Sequence, residues 1–583
     1  MNIPTDKQVQ FLEWQVEEQE ALFLQYLATN MNQLFTNKAA FVGKVWGVDA
    51  KRGTIIIQFK RGFGPRLNYP YTGFLNNKEV KATDAQNWSF TYQFFREHYV
   101  AGQTNLTSLF YLKNDDLDFV YIGFRDVENT FYNKMQSLTD QEKHPYIIIA
   151  ETDPPVKYLL NLKHFIHQNP ENQVLKLNIL KSLADWNPPA FEDGTDKKVQ
   201  ISALLQDKKE VIIQGPPGTG KSTLIAEVVD TFLAAGKTVC ITTLANKALM
   251  EVAEKPALAR WLAKRRVLKT NLTANEVKIL TDLESADSLT IPNGHLLLST
   301  YYKLSSWYSP EGPPSPQAPV YDLLVIEEAS QSFLATIAAF KMLGRQVLIV
   351  GDPMQLPPIV LSENKAHEIH PHIMLFTKGL ASYAANVQVP AFILLETYRL
   401  SAAAAMQTGS FYKGRLESKQ SLPIPLTADM PYSGWLQPDL SAAILFMPIA
   451  DQGDQPKNAI DIAVDLVFNL RKNNLGISIA LLAPFKKTVL AMQESIGTRI
   501  SDYTGLTIET IDRIQGLTAD ITIYLMALNN PGFAMQVNRF NVATSRAKSG
   551  TIIITDRRYA MFAGIDPRVT NFLNACKQVI TIS

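Results

Sequence analysis

From residue 199 onward one rhythm governs the chain: a run of four to six apolar residues, a helical stretch, then another apolar run. VIIQ, TVCITT, HLLLST, LLVIEE and QVLIVGD come first, and FILLE, IALLAP, ITIYLMAL and GTIIIT follow. Strands this uniformly apolar have no face to offer water, so they belong in parallel sheets covered by helices on both sides. Nine such strands overfill one compact domain, and a Ser/Ala-rich helical stretch near residue 400 parts the two groups. The pattern predicts an α/β protein with two tandem parallel-sheet domains, about 199–385 and 386–583. The first would carry a short helical insertion at about 251–295.

Ahead of residue 199 the pattern differs. Phe11, Leu12, Val16, Leu22, Phe23, Tyr26 and Leu27 recur at helical spacing among Glu and Gln, which predicts one long helix over 6–37. Thr5 and Gln8 are spaced to form a capping box at its start. FVGKVWGV, TIIIQF, NWSFTYQFF, DFVYIGFRDV and YIIIAE then predict a small barrel or sandwich over about 38–150. Helical patterns return at about 156–183, and DWNPPAFEDGTDKK (185–198) reads as a linker. Residues 1–198 are thus an accessory region.

Composition narrows the class. Of the 583 residues, 46% are apolar and 10% aromatic, so large cores can form and wholesale disorder is excluded. Lys+Arg 56 against Asp+Glu 55 excludes a histone-like polycation but leaves room for a local basic groove. Two cysteines, Cys240 and Cys576, cannot build a disulfide scaffold or a Cys₃ or Cys₄ metal site, and fit a reducing compartment. MNIPTDKQVQ lacks the basic-then-apolar pattern of a secretory signal, and no apolar run approaches the roughly 18 residues that span a bilayer. The expectation is a cytoplasmic protein with no membrane partner.

The chemistry concentrates in three strings. GPPGTGKST fits the phosphate-loop pattern, preceded by the strand VIIQ and followed by the amphipathic TLIAEVVDTFLAAG. Gly215, Pro216, Pro217, Gly218, Thr219 and Gly220 would form a loop around phosphates, the glycines letting backbone N–H groups turn inward. Lys221 would reach the β- and γ-phosphates, and Ser222, beside Thr223, would ligate Mg²⁺. LLVIEEAS supplies Glu327 to hold Mg²⁺ and Glu328 to polarise the attacking water. QVLIVGDPMQLPP puts Gln355 on a short turn after a strand, placed to sense a γ-phosphate. The expected cofactors are ATP and Mg²⁺.

Taken together, the phosphate loop, EEASQ (327–331) and GDPMQLPP (351–358) resemble motifs I, II and III of superfamily 1 helicases. The likeness is to the 5′-to-3′ branch of the nonsense-mediated-decay RNA helicase. Further strings follow in the family's order: Gln200 of KKVQISALLQ as the Q motif, TTLANKAL (242–249) as motif Ia, and ETYRLS with Tyr398 and Arg399 followed by FYKGRL (411–416). IALLAPFKK resembles motif IV, TIDRIQGLTAD with Asp512, Gln515 and Gly516 motif V, and NRFNVATSRAK with Arg539, Thr544, Ser545 and Arg546 motif VI. The resemblance implies two RecA-like domains with an N-terminal helical stalk and a small β-barrel. It also implies Gln200 on the adenine edge and Tyr398 stacked on the ring, a core tyrosine being the other reading. Arg399 and Arg546 would act on the γ-phosphate from the second domain.

Thr243, Asn246 and Lys247 of motif Ia, Thr300, and Thr510 and Arg513 of motif V match family positions that face a single strand. KRRVLK (264–269) and FKRGFGPRLNYPY (59–71) could add to a strand groove or be solvated charge. Two departures stand out: Glu327 occupies a place usually held by Asp, and Thr518 the acidic place of motif V. The implied function is an ATP-dependent helicase or translocase on single-stranded DNA or RNA, moving 5′ to 3′ because motifs IV and V are too close for a large insertion, and working as a monomeric motor. An ATP-gated clamp with weak hydrolysis is the alternative. A phosphate-loop ATPase acting on protein partners is a third reading, disfavoured by motifs Ia and V.

Overall fold

The computed structural model describes residues 2–77, 87–112, 116–183, 186–192, 194–312, 314–420, 433–436, 442–447, 456–472, 476–497, 499–500, 503–514, 516–526, 530–562 and 564–580. Gln515 of the expected motif V lies outside them.

The first helix, Thr5–Ala28, buries Phe11, Leu12 and Val16 in one core with the helix Val156–Gln168 and with Phe333 and Phe376 of the first α/β unit. It is shorter than the single helix expected over 6–37. The chain extends at Thr29 and Asn30, where Asn30 bridges Thr91, and then resumes as Met31–Thr36. The Thr5–Gln8 capping box does not form, because Pro4 is the cap and the Gln8 amide is buried, donating to Ile3 O and Leu175 O. The helical stretch expected to reach 183 ends at Gln168, since Pro170 disfavours helical backbone at Asn169.

Six strands close a barrel in the order β1-β2-β5-β4-β3-β6: β1 Ala40–Asp49, β2 Thr54–Lys60, β3 Pro70–Asn76, β4 Val100–Leu112, β5 Phe119–Arg125 and β6 Tyr146–Glu151. NWSFTYQFF is not a strand. It holds the helix Tyr92–His98, capped by the Thr91 side chain, with Tyr92 and Phe95 buried at helical spacing. β4 escaped the sequence pattern because its inward positions include Thr104 and Ser108.

The first parallel sheet runs β10-β9-β11-β8-β12-β13-β7-β14. Its strands are β7 Glu210–Gln214, β8 Val239–Thr243, β9 Val267–Lys269, β10 Glu284–Ser285, β11 Leu296–Thr300, β12 Tyr321–Ile326, β13 Gly344–Gly351 and β14 Ala391–Ile393. Two expectations change here. The insertion at 251–295 is not purely helical, for β9 and β10 extend the sheet edge. FILLE, expected in the second unit, is β14 at the other edge of the first, paired to β7 and with Phe392 stacked on Phe191. An all-apolar run says that it is buried without saying in which sheet.

A short pair, β15 Glu396–Thr397 and β16 Glu417–Ser418, leads into the second parallel sheet, ordered β19-β18-β20-β21-β17-β22. It comprises β17 Ala442–Phe446, β18 Ile479–Ala483, β19 Leu506–Thr510, β20 Ala519–Leu525, β21 Ala547–Thr555 and β22 Lys577–Ile580. The barrel touches both units. Ala274 N donates to Val127 O on the first side, and on the second Tyr111 meets Tyr503 with ring centroids 5.8 Å apart. Among the described residues no helix is long and apolar enough to cross a membrane.

Candidate nucleotide site between the two parallel sheets

β7 ends at Gln214, the chain turns through Gly215–Gly220, and the helix Lys221–Ala234 begins. Gly218 and Gly220 have φ of +73° and +77°, a region that side chains resist. At Gly218 the constraint is also steric, since a Cβ there would lie 2.4 Å from Cβ of Arg399. That closeness seats the loop on the strand pair that follows β14. Tyr398 N donates to Gly218 O at 2.8 Å, and the Thr397 hydroxyl to Pro217 O at 3.0 Å. Lys221 folds over its own loop, donating to Gly215 O at 2.7 Å and Pro216 O at 3.2 Å. Burial holds its ammonium below the usual lysine range; Arg399 and Arg546 push the same way, against Asp352 and Glu327.

The carboxylates come from the end of β12. Glu327 is buried, and its Oε2 has no partner among the described residues. Burial, then the charges of Glu328 and Glu251, push it up to about 8. Glu328 has φ +53°, strained for a residue with a side chain, and accepts from the Thr243 hydroxyl at 3.1 Å. Ser222 Oγ donates to Glu251 Oε1 at 3.2 Å. Glu251 was not expected at the site. It sits on the helix Asn246–Ala253, and a lone Glu on a helix gives no sequence signal.

From the second unit come the arginines. Arg546 is 2% exposed, its Nε donating to Val542 O and its Nη2 to Ser545 Oγ, while Arg399 Nη1 donates to Ser545 O at 3.2 Å. Burial lowers them to about 9 and about 10 respectively, with Arg399 adding to the effect on Arg546. Among the described residues neither has a carboxylate within ion-pair distance. Two desolvated, neighbouring guanidiniums without a counterion are costly, and an anion in the space they face offsets that cost. That space is a cavity of about 290 Å³.

Of the expected residues, Pro217 through Thr223, Glu327, Glu328, Gln355, Tyr398, Arg399 and Arg546 all line this cavity. Tyr398 is 53% exposed, which sets aside the core-tyrosine reading. Gly215 and Pro216 do not line it; their carbonyls hold Lys221. Gln200, on the helix Lys197–Lys208, is outside the lining, with an enclosed Oε1 that has no partner among the described residues. Asp352, Lys548 and Thr518 line it as well. Gln355 is held by Asp352, and Tyr412 and Asn541 of the second unit reach the same turn.

Comparison with known proteins identifies the family. AAA-domain family models match residues 199–361 and 374–558, together more than half of the chain. DNA-binding protein SMUBP-2 of Rattus norvegicus is 22% identical over 475 residues, covering 69% of this chain and 47% of its own. The DNA polymerase alpha-associated DNA helicase A of Saccharomyces cerevisiae is 22% identical over 509 residues, 73% of this chain and 72% of its own. The Arabidopsis thaliana DNA replication ATP-dependent helicase/nuclease JHS1 is 23% identical over 426 residues, 65% of this chain and 31% of its own. The chain thus spans less than half the length of two of these three relatives. It belongs to the superfamily 1 helicases, on the branch of the nonsense-mediated-decay RNA helicase.

In this superfamily 1 chain the expected strand-facing residues divide. Thr243 is fully buried against Glu328, and Lys247 lines the cavity. The cause is position: Thr243 ends β8 beside the end of β12, and Lys247 opens the helix that carries Glu251. Asn246 is exposed and accepts from Lys269. Thr300 caps the turn Tyr301–Leu304. Thr510 bonds to Glu509, and the Arg513 guanidinium lies 4.8 Å over the Tyr69 ring of the barrel. In the two basic strings Lys264, Arg265, Arg266, Lys60 and Arg61 are exposed, while Lys269 and Arg66 are engaged within the protein. Lys269 of KRRVLK is buried in a pair with Glu276, and Arg66 of the barrel string stacks on Tyr69 at 4.1 Å.

Proposed function

We propose that this chain is an ATP- and Mg²⁺-dependent helicase or translocase that moves 5′ to 3′ along single-stranded nucleic acid and unwinds duplex or strips bound protein. One observation carries the reading: Lys221 and Glu328 of the first unit and Arg399 and Arg546 of the second line one cavity. A triphosphate there is bound by both units at once. Its γ-phosphate draws the guanidiniums in, and loss of the γ-phosphate loosens the hold. Lys221 would neutralise the β- and γ-oxygens, and Glu328, oriented by Thr243, would take up the proton side of the attacking water. Tyr398, beside Gly220, would stack on the base, and Gln200 would read its edge.

The residues fit a divalent cation. Glu327 Oε2 is buried and unpartnered among the described residues, and Ser222 and Glu327 line the same cavity. Among the described residues no three His, Cys, Asp or Glu side chains form a metal cluster, which suits Mg²⁺ shared between one or two side chains and substrate phosphates. Bound there, the ion would neutralise charge developing on the β- and γ-oxygens. The helices Thr5–Ala28 and Val156–Gln168 would serve as the stalk that carries the barrel. Between β18 and β19 the described chain holds the helix Lys486–Gly497, and no domain intervenes, which supports the 5′-to-3′ assignment.

The test is ATP turnover with single- and double-stranded DNA and RNA. Stimulation by a single strand is expected, and Arg546→Ala should cut stimulated turnover by about 10³-fold or more while strand binding persists. No stimulation by any of the four polymers would overturn the reading. The alternative, an ATP-gated clamp with weak hydrolysis, draws on the extra methylene of Glu327. It predicts tight ATP-dependent strand binding with no strand displacement.

A further inference from the structure

The turn after β13 belongs to the first unit by connectivity and to the second by packing. Met354 and Leu356 are buried in one core with Tyr412, Phe540 and other residues of the second unit. Its polar atoms follow. Asn541 Nδ2 donates to Met354 O at 2.9 Å, and Asn538 Nδ2 donates to Pro353 O at 2.9 Å. At the centre is Asp352, 1% exposed. One carboxylate oxygen accepts from Gln214 Nε2 at 3.3 Å, at the threshold of the phosphate loop. The other accepts from Gln355 Nε2 at 3.1 Å and from the Tyr412 hydroxyl at 2.6 Å.

Chemistry fixes the direction of this chain. A carboxylate only accepts, so the Tyr412 hydroxyl donates to Asp352 and takes its second bond as an acceptor from Asn541 Nδ2, at 2.8 Å. The route therefore runs unbroken from a glutamine on the phosphate cavity, through one carboxylate and one hydroxyl, to the helix Val537–Thr544, which precedes Arg546. Asn541 Oδ1 is buried with no partner among the described residues, so the arrangement holds a polar cost that a shift of the helix can relieve.

We propose that the Tyr412 hydroxyl is a positioning group that couples the state of Gln355 in the nucleotide cavity to the second unit's hold on the strand. Tyr412 is not among the residues that line the cavity; it acts through Asp352 and Asn541. The inference rests on the motor reading above and assigns the residue that transmits its signal. When Gln355 moves with the γ-phosphate, Asp352 must follow or lose a bond, and the hydroxyl carries that displacement across the interface.

Tyr412→Phe removes one oxygen and keeps the ring in its core, so it tests the link with little change in packing. In the full chain, single-strand-stimulated ATP turnover should fall about tenfold, while unstimulated turnover stays within about twofold. Strand affinity, measured with and without a non-hydrolysable ATP analogue, should lose most of its dependence on the analogue. Asn541→Ala should behave alike, and the double variant should be no worse than the poorer single, because both cut one path. A Tyr412→Phe protein stimulated as strongly as the parent would overturn the proposal. So would a variant whose unstimulated and stimulated rates fall in proportion with its melting temperature, the signature of a merely structural role. A parent protein that no strand stimulates would defeat the motor reading first and this inference with it, a result distinct from either.

Discussion

Lys269 shows what a charged residue costs inside this protein. The string KRRVLK reads as a basic patch, yet its last lysine is wholly buried on β9, 3.1 Å from Glu276, with Asn246 and two carbonyls sharing its other protons. Glu276 in turn accepts from the backbone N–H of Thr273 at 2.9 Å, at the start of its own helix. Breaking such a pair strands a charge in low dielectric, so Glu276→Ala should destabilise the first unit by about 3–5 kcal/mol. The paired change Lys269→Met with Glu276→Gln should recover most of that loss, because neither partner is left charged. Urea titration of the three proteins, followed by tryptophan fluorescence, checks this; an equal loss in the paired variant would mean that packing, not charge, sets the cost. Spacing marks Lys221 and Ser222 on sight, whereas Lys269 and Glu251 take their meaning from neighbours distant in sequence.

The helix Thr5–Ala28 has two unlike halves. Phe11 is wholly buried, edge-on to Trp14, Phe333 and Phe376 at 6.0, 6.2 and 5.8 Å, whereas Leu22 is 64% exposed. Phe11→Ala should therefore cost about 3–5 kcal/mol and Leu22→Ala within about 0.5. Denaturation midpoints of the two variants against the parent provide the measurement, and similar losses would show that the helix is held along its whole length. Apolar spacing in the sequence foretold a helix but treated Phe11 and Leu22 alike, because periodicity cannot say where the partner surface ends. NWSFTYQFF misled for a related reason. Aromatic residues suit strands and buried helix faces equally, and the spacing of Tyr92 and Phe95 decides for the helix only once both are seen buried.

At the scale of the molecule the accessory region bridges the two α/β units. Its helices pack on the first unit, and its barrel joins Ala274 there and Tyr503 and Arg513 on the other side. The nucleotide cavity lies where those units meet, so a ligand binding both should stabilise the whole. A non-hydrolysable ATP analogue with Mg²⁺ at a hundred times its Kd should add about 2.7 kcal/mol. At that same concentration Arg546→Ala should lose much of the gain, because only the first unit still grips. Thermal melts with and without analogue read this directly; full stabilisation in the variant would place the ligand on the first unit alone.

Residue strings alone carried the local chemistry: the phosphate loop, the strand-end glutamates, the parallel sheets and the order of the motifs. The loop and the glutamates are each written within a dozen residues, where backbone geometry leaves few choices, and apolar spacing marks the sheets. Long-range packing settled which sheet would take Ala391–Ile393, that Thr243 meets Glu328 and Lys247 lines the cavity, and that Asp352, Tyr412 and Asn541 meet. Those outcomes depend on contacts between segments far apart along the chain. Burial then sets whether a polar group is solvated, paired or left to hold a neighbour in place.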